Sequence, residues 1–353
     1  LNILFIPHVP NKNVVNRVYE FAKALDSYVL SWEIDNSSFS KKVISQLKSL
    51  QFRVNKNEIF IPLLFKPEAF GVKFNTFVLN YLIKKLKIDL VINANALLFD
   101  IKKISALVVY DLVDDHLEEN LSIGLNLARV KKIKEDIKSS KALICVTQNL
   151  AQKAKGLNPR IKVIENGVSL EKFKRARSIK SELGLENRFL FGYIGGVAKW
   201  TGIEKACKEF VKIQNSSNAM IIVGESKERY FQNLKREYQD KIHFIGQVPP
   251  EDVAKYFKSL DVGLIPFEIN DFTNNALPIK ALEYGLGGAR VLSTPLEALK
   301  NKNFPFIKFA KIEEFSKQMQ KMQTLNQKVE FDFREFSWEK KAKELEEFLK
   351  ELV

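Results

Sequence analysis

Short unbroken apolar runs alternate along the chain with stretches of helical spacing. Leu1-Asn2-Ile3-Leu4-Phe5-Ile6 reads as a buried strand. In the stretch Val14 to Leu25 that follows, Val15, Val18, Phe21, Ala22 and Leu25 share one helical face. A helix over Phe74 to Leu86 leads into a strand at Leu90-Val91-Ile92. Strands at Leu107-Val108-Val109-Tyr110 and Leu143-Ile144-Cys145-Val146 bracket a helix over Ala128 to Ile137, and Val163-Ile164 closes this half. The second half repeats the plan. Strands are predicted at Phe189 to Ile194, Ala219 to Val223, Ile242 to Ile245, Asp261 to Ile265 and Arg290 to Ser293. Helices are predicted over Ile203 to Gln214, Glu228 to Tyr238 and Glu251 to Leu260, and from Ile279 to Gly285. Strands that stay apolar on both sides of the pleat are covered on both faces. The pattern therefore predicts an α/β fold of two doubly wound parallel-sheet domains. Ligands of such sheets sit at the carboxyl ends of the strands, so the expected site is a central cleft fed by loops of both domains. The tail, Trp338 to Leu352, is an amphipathic helix with Trp338, Ala342, Leu345, Phe348, Leu349 and Leu352 on its apolar face.

A chain of 353 residues suits two domains at roughly 150 residues each. With 46% hydrophobic and 28% charged residues it has a globular composition, which excludes collagen-like, disordered and disulfide-scaffold classes. Cys145 and Cys207 stand in unrelated contexts and offer no zinc spacing. His8, His116 and His243 are far apart and form no metal pattern, so no metal is expected. The net charge is +14, with 25 basic and 16 acidic residues up to Glu165 and 31 and 26 beyond it. That excess can serve nucleic acid, an anionic membrane face or a polyanionic small molecule. No run approaches the ~20 apolar residues of a membrane span. Leu1 to Ile6 is too short for a signal peptide, so the expected location is cytoplasmic.

Three segments carry candidate chemistry. Asn166-Gly167-Val168-Ser169-Leu170-Glu171-Lys172-Phe173 opens with a tight turn after a strand, and a turn alone accounts for it. In Gly192-Tyr193-Ile194-Gly195-Gly196-Val197-Ala198-Lys199-Trp200-Thr201-Gly202, paired glycines end a strand shortly before a helix. Such a loop admits a phosphate to backbone N–H groups, with Lys199 adding a cation, or it is a connection with no ligand. It fits neither the P-loop nor the dinucleotide fingerprint. The third segment is Asn274-Asn275-Ala276-Leu277-Pro278-Ile279-Lys280-Ala281-Leu282-Glu283-Tyr284-Gly285. Pro278 suits a helix start, and Lys280 and Glu283 then share a face. They make an anion site with a hydroxyl acceptor beside it, or an exposed ion pair of little consequence.

Taken together, these segments resemble the GT-B glycosyltransferases of family 4, a retaining group that uses sugar nucleotides. Asn166-Gly167-Val168 with Phe173 matches the hinge motif, with Ser169 where Asp is usual. Gly195 matches the start of the donor loop, and Glu283 the second carboxylate of the family's Glu-x7-Glu motif, which binds the nucleotide ribose. The stretches Pro278-x-Lys280-x-x-Glu283-Tyr284 and Ala198-Lys199-Trp200 look most like the teichuronic-acid-type branch of cell-surface polysaccharide transferases. Phe336-Ser337-Trp338-Glu339 resembles the entry to the final helix. The departures are Asn275 for the first Glu of the pair, and Gly196 and Thr201 for the donor-loop Arg and Lys. The N-terminal glycine-rich loop is replaced by His8-Val9-Pro10-Asn11-Lys12-Asn13, with Arg17 one turn into the next helix.

The resemblance implies an N-terminal acceptor domain over 1–168, a nucleotide-sugar domain over 169–335, and a helix over 336–353 that packs back on the first. It implies a metal-independent, retaining hexosyltransferase with no cofactor beyond a UDP- or GDP-linked sugar as co-substrate. Donor-binding candidates are Gly195, Gly196, Lys199, Thr201, Val248, Asn275, Ala276, Leu277, Lys280 and Glu283. Asp114, Asp115 and His116, after a first-domain strand, are catalytic candidates with Lys199 and Lys280, although a helix cap with an exposed His explains that segment equally. His8, Asn11 and Arg17 are acceptor-side candidates. The expected partners are the donor and a glycan or lipid-linked acceptor, with no nucleic acid. The helical stretches Phe74 to Lys87 and Arg129 to Lys141 can lie on an anionic membrane surface, or simply present solvated basic faces. Two readings rival catalysis of transfer: a degenerate sugar-nucleotide-binding protein, and a sugar-nucleotide 2-epimerase of the same architecture.

Overall fold

The apolar runs pair in parallel because helical stretches between them are long enough to cross back over the sheet. The computed structural model describes residues 1–8, 17–31, 53–61, 63–64, 68–94, 97–120, 124–324 and 329–353. They fall into two units, Leu1–Glu165 with Trp338–Val353, and Asn166–Ser337. Val168 lies in the second unit because its N–H donates to the Phe336 carbonyl at 2.7 Å.

In the first unit the strands are β1 (Ile3–Ile6), β2 (Tyr28–Ser31), β3 (Arg53–Asn55), β4 (Glu58–Phe60), β5 (Leu90–Asn93), β6 (Leu107–Leu112), β7 (Ala142–Cys145) and β8 (Ile161–Val163). Their order is β3-β4-β2-β1-β5-β6-β7-β8. Only the β3–β4 pair is antiparallel. Strands β2 to β4 escape the pattern of apolar runs because they are short and carry polar residues at their ends. Helix Glu68–Leu86 covers one part of the sheet, with Leu79, Leu82 and Ile83 against Leu4, Ile6 and Val91. Helix Leu127–Ser139 brings Ile133 and Ile137 against Tyr110, Leu112 and Leu143. The terminal helix Trp338–Lys350 belongs to this unit, and its Trp338 ring stands edge-on to Phe21 at 5.4 Å.

The second unit holds β9 (Phe189–Ile194), β10 (Asn218–Val223), β11 (His243–Gly246), β12 (Val262–Ile265), β13 (Arg290–Ser293) and β14 (Ile307–Phe309). The sheet is parallel, in the order β11-β10-β9-β12-β13-β14. The chain therefore builds outward from β9 on one side and returns to build outward from β12 on the other. Adjacent strands β9 and β12 form the topological switch point, where an open α/β sheet leaves a crevice at its carboxyl edge. Gly263 of β12 lies under Tyr284, so an added Cβ would come within 2.2 Å of that ring. Tyr284 in turn ties the two strands, accepting from the Ile194 N–H at 3.0 Å and donating to the Leu264 carbonyl at 3.3 Å. His243, expected within a structural strand, sits on β11 with its side chain exposed.

Candidate functional site

The switch point gathers the second unit's candidate segments. Gly195 follows β9 directly with φ +136, a conformation that L side chains avoid. A Cβ there would also meet Lys280 Nζ at 2.8 Å. Glycine at this position thus lets Lys280 lie against the loop backbone. The loop is held from beneath. The Gly195 N–H donates to the Val223 carbonyl at 2.9 Å, and the Tyr193 hydroxyl donates to the Gly196 carbonyl at 2.6 Å. Gly196 itself is exposed, with open space where a side chain would be. Gly202, at φ +63, closes the loop against Pro266, whose carbonyl would lie 1.9 Å from an added Cβ.

Lys280 is the second residue of helix Ile279–Leu286. Its ammonium stands 3.9 Å from the centroid of the Tyr193 ring and 5.1 Å from that of Phe267. Aromatic faces attract the cation but replace water poorly. Burial accordingly lowers the Lys280 pKa from 10.5 to about 7, with Glu283 opposing the shift. Among the described residues its Nζ has no hydrogen-bond partner. The first N–H groups of a helix are likewise short of intrahelical acceptors. A half-desolvated cation, a helix start and an open glycine backbone therefore face one crevice, an arrangement suited to a polyanion. Glu283, one turn along the same helix, is half-buried and contributes a negative charge beside it.

Other predicted donor residues take different places. Thr201 is fully buried and its hydroxyl donates to the Ala198 carbonyl at 2.6 Å, so it braces the loop rather than meeting a ligand. Asn275 ends a short helix, where its amide donates to the Asp271 carbonyl at 2.9 Å. Leu277 is buried, and its carbonyl accepts from the Asn166 amide at 3.5 Å. Ala276 is half-buried beside it, and Val248 packs on the edge of the core. Lys199 is exposed in the glycine-rich connection, at the start of the turn Lys199–Thr201.

The first unit places its candidates at the carboxyl ends of β1 and β6. Arg17 is not open to an acceptor. It is buried, with Nε and Nη2 donating to the two Asp111 oxygens at 2.9 and 3.0 Å and Nη1 to the Ile164 carbonyl at 2.9 Å. Asp115 is also committed to structure, because Lys153 Nζ donates to Oδ2 at 2.6 Å and the side chain is 2% exposed. Asp114 differs. Burial raises its pKa from 3.8 to about 7, against the nearby Arg17 charge and with Asp115 adding to the rise. Among the described residues its carboxyl group makes no hydrogen bond. Burial lowers the His116 pKa to about 4, helped by His8, so His116 is neutral at pH 7. His8 is lowered as well, by burial, against the pull of Asp111. A protonatable carboxyl and two neutral imidazoles therefore sit around a buried Arg17–Asp111 pair. Asn11 lies outside the described residues.

Sequence reasoning missed Asp111, Lys153, Tyr193 and Phe267. Tyr193 is the last residue but one of β9 and Phe267 stands two residues after β12, so both sit at the strand ends that meet at the switch point. That placement was the available signal.

Comparison with known proteins adds to this geometry. Residues 188–323 match the Glycosyl transferases group 1 family. A curated relative, TuaH of Bacillus subtilis (strain 168), is described provisionally as a teichuronic acid biosynthesis glycosyltransferase. It is 24% identical over 153 residues, covering 42% of this chain and 38% of TuaH. The match thus spans under two fifths of that relative's length. Sucrose-phosphate synthase from Thermosynechococcus elongatus superposes with a TM-score of 0.76 at 13% identity, over 99% of this chain and 98% of the other. Anabaena Alr3699/HepE in complex with UDP-glucose gives 0.68 at 13% identity, over 99% and 98%. WaaG, a glycosyltransferase involved in lipopolysaccharide biosynthesis, gives 0.65 at 17% identity, over 98% and 95%. The fold is GT-B. Within it, Gly195 and Lys280 lie in the stretch, residues 188–323, that matches the Glycosyl transferases group 1 family.

Proposed function

We propose that the protein is a retaining glycosyltransferase. It takes a hexose from a UDP- or GDP-linked donor and passes it to a cell-surface glycan or a lipid-linked acceptor. The observation that carries this reading is the Lys280 ammonium, caged by Tyr193 and Phe267 against the Gly195 backbone. The structures of Alr3699/HepE with UDP and with UDP-glucose lend it support, as proteins of the same fold that take such ligands.

When the sugar–phosphate bond breaks, negative charge grows on the departing diphosphate. Groups fixed in advance around those oxygens stabilise that charge without reorganising. Lys280 Nζ, the start of helix Ile279–Leu286 and the Gly195-Gly196 backbone fill this role, with Lys199 at the rim. Because these groups supply positive charge, the reaction needs no metal ion. Glu283 accepts hydrogen bonds from the ribose hydroxyls. Asp114 and His116 contact the transferred sugar or its acceptor, and Asp114 is the group able to exchange a proton near neutral pH. Retention of configuration rests on the family resemblance.

One observation favours a second reading. Asn275 stands where the family carries a carboxylate, and its amide is tied back to Asp271. A degenerate sugar-nucleotide-binding protein would look the same there. The test is turnover: purified protein, a panel of UDP- and GDP-sugars, a chelator, and release of nucleoside diphosphate with and without glycan acceptors. Transfer is expected in the chelator, and Lys280→Met should slow it by about 10²–10³-fold. Binding without turnover would establish the degenerate reading. Unchanged turnover in Lys280→Met would remove Lys280 from the mechanism. Conversion of the donor sugar with no acceptor present would indicate epimerisation.

A further inference from the structure

Helix Glu68–Leu86 has an outward face that stays exposed among the described residues. Phe70, Phe77 and Tyr81 are 59%, 74% and 60% exposed. At 100° per residue they lie within about 40° of one another, along ~17 Å of the helix. Lys73, Lys84 and Lys85 are exposed within about 60° of the same line. The opposite face is firmly held. Leu79, Leu82 and Ile83 are buried in the core. The Asn75 side chain accepts from the Leu64 N–H at 2.8 Å and donates to the Leu64 carbonyl at 3.0 Å. The Asn80 side chain likewise accepts from the Ser105 N–H at 2.8 Å and donates to the Lys103 carbonyl at 2.7 Å. Gly71 brings the helix so close that a Cβ would fall 2.4 Å from the Leu64 carbonyl oxygen. The helix cannot roll to hide its aromatic residues without breaking these ties.

We propose that this face docks on an anionic lipid surface. Between Ala69 and Lys87 the chain has four lysines and no acidic residue. Aromatic rings with flanking lysines match a bilayer interface, where rings enter the headgroup boundary and ammonium groups meet lipid phosphates. A second copy of the chain is a poorer occupant, because a two-fold contact through this face would set lysines against lysines. No described helix is long and apolar enough to cross a membrane, so the contact proposed is with the surface. The other predicted basic helix, Leu127–Ser139, does not share these features: Lys132 is paired with Asp136 at 2.5 Å and no aromatic residue stands on it. This proposal is independent of the sugar-transfer reading.

The test is co-sedimentation of the full chain with vesicles of phosphatidylcholine alone and of phosphatidylcholine with about 30 mol% phosphatidylglycerol. Binding to the anionic vesicles only is expected. Phe77→Ser with Tyr81→Ser should weaken it at least ~10-fold, since two inserted rings are lost. Lys73→Gln with Lys84→Gln should weaken it about 30-fold, at about fivefold per lysine. Because all four residues are exposed, both variants should keep the wild-type Tm. Equal binding to the two vesicle types, no binding to either, or full binding by either variant would overturn the proposal. So would a lipid-free dimer in sedimentation velocity that Phe77→Ser with Tyr81→Ser abolishes.

Discussion

Lys280 should make donor binding depend on pH in a way no ordinary surface lysine could. Its pKa in the free protein is about 7, so at pH 6 the crevice already holds an ammonium ion. At pH 8.5 only about one molecule in 30 does. A bound diphosphate returns the pKa toward its usual value, so binding at pH 8.5 must first take up a proton. That uptake costs about 2 kcal/mol, at 1.36 kcal/mol per pH unit, and weakens the Kd about 30-fold relative to pH 6. UDP-glucose suits the assay, because its diphosphate diester has no proton to lose in this range. Isothermal titration calorimetry in buffers of different ionisation enthalpy should give proton uptake near zero at pH 6 and near one at pH 8.5. Lys280→Met should bind weakly with a flat profile. A flat wild-type profile, or the same slope in Lys280→Met, would refute the assignment. Stability should move the other way with pH. The unfolded chain holds more protons on Lys280 between about pH 7 and 10.5, so this residue's contribution rises with pH across that window.

Two further predictions concern the framework. Gly263→Ala places a methyl group 2.2 Å from the Tyr284 ring and should cost about 3 kcal/mol or more in denaturant unfolding; a cost below ~1 kcal/mol would mean that ring does not seat against β12 as described. Asp114 has a folded pKa of about 7 against an ordinary 3.8, so the folded state holds the extra proton between those values and stability falls as pH rises through that window. Asp114→Asn should remove this fall and raise stability at pH 8 by up to about 4 kcal/mol, at 1.36 kcal/mol per pH unit, whereas unaltered pH dependence in the variant would show that the group titrates normally.

The sheets were legible because their central strands are uniformly apolar. Phe189–Ile194 and Asn218–Val223 are buried almost throughout, and no amphipathic alternation competes with that signal. The strands Arg53–Asn55, Glu58–Phe60 and Ile307–Phe309 have three residues each, with one or two of them polar, too little for a pattern to register. The helix expected over Glu251 to Leu260 shortens to Val253–Phe257, because Pro249 and Pro250 precede it and it gives way to a turn at Lys258 and Ser259.

At the site, motif spacing located Gly195, Lys280 and Glu283, since loop and helix positions follow directly from where strands end. It did not distinguish presented side chains from committed ones. Arg17, Asp115 and Thr201 each have residue types suited to chemistry, but their partners, Asp111, Lys153 and Ala198, stand 94, 38 and 3 residues away. Two of those partnerships exist only once the sheet has formed. The depressed Lys280 pKa was equally hidden, because it arises from Tyr193 and Phe267, which reach the ammonium from two different strand ends.

The most direct test of the central claim is a crystal structure with a bound UDP-sugar. The diphosphate should lie within hydrogen-bond distance of Lys280 Nζ and the Gly195-Gly196 backbone, with the ribose hydroxyls on Glu283. A nucleotide bound away from the β9–β12 switch point, with Lys280 still enclosed by Tyr193 and Phe267 and touching no phosphate, would contradict it.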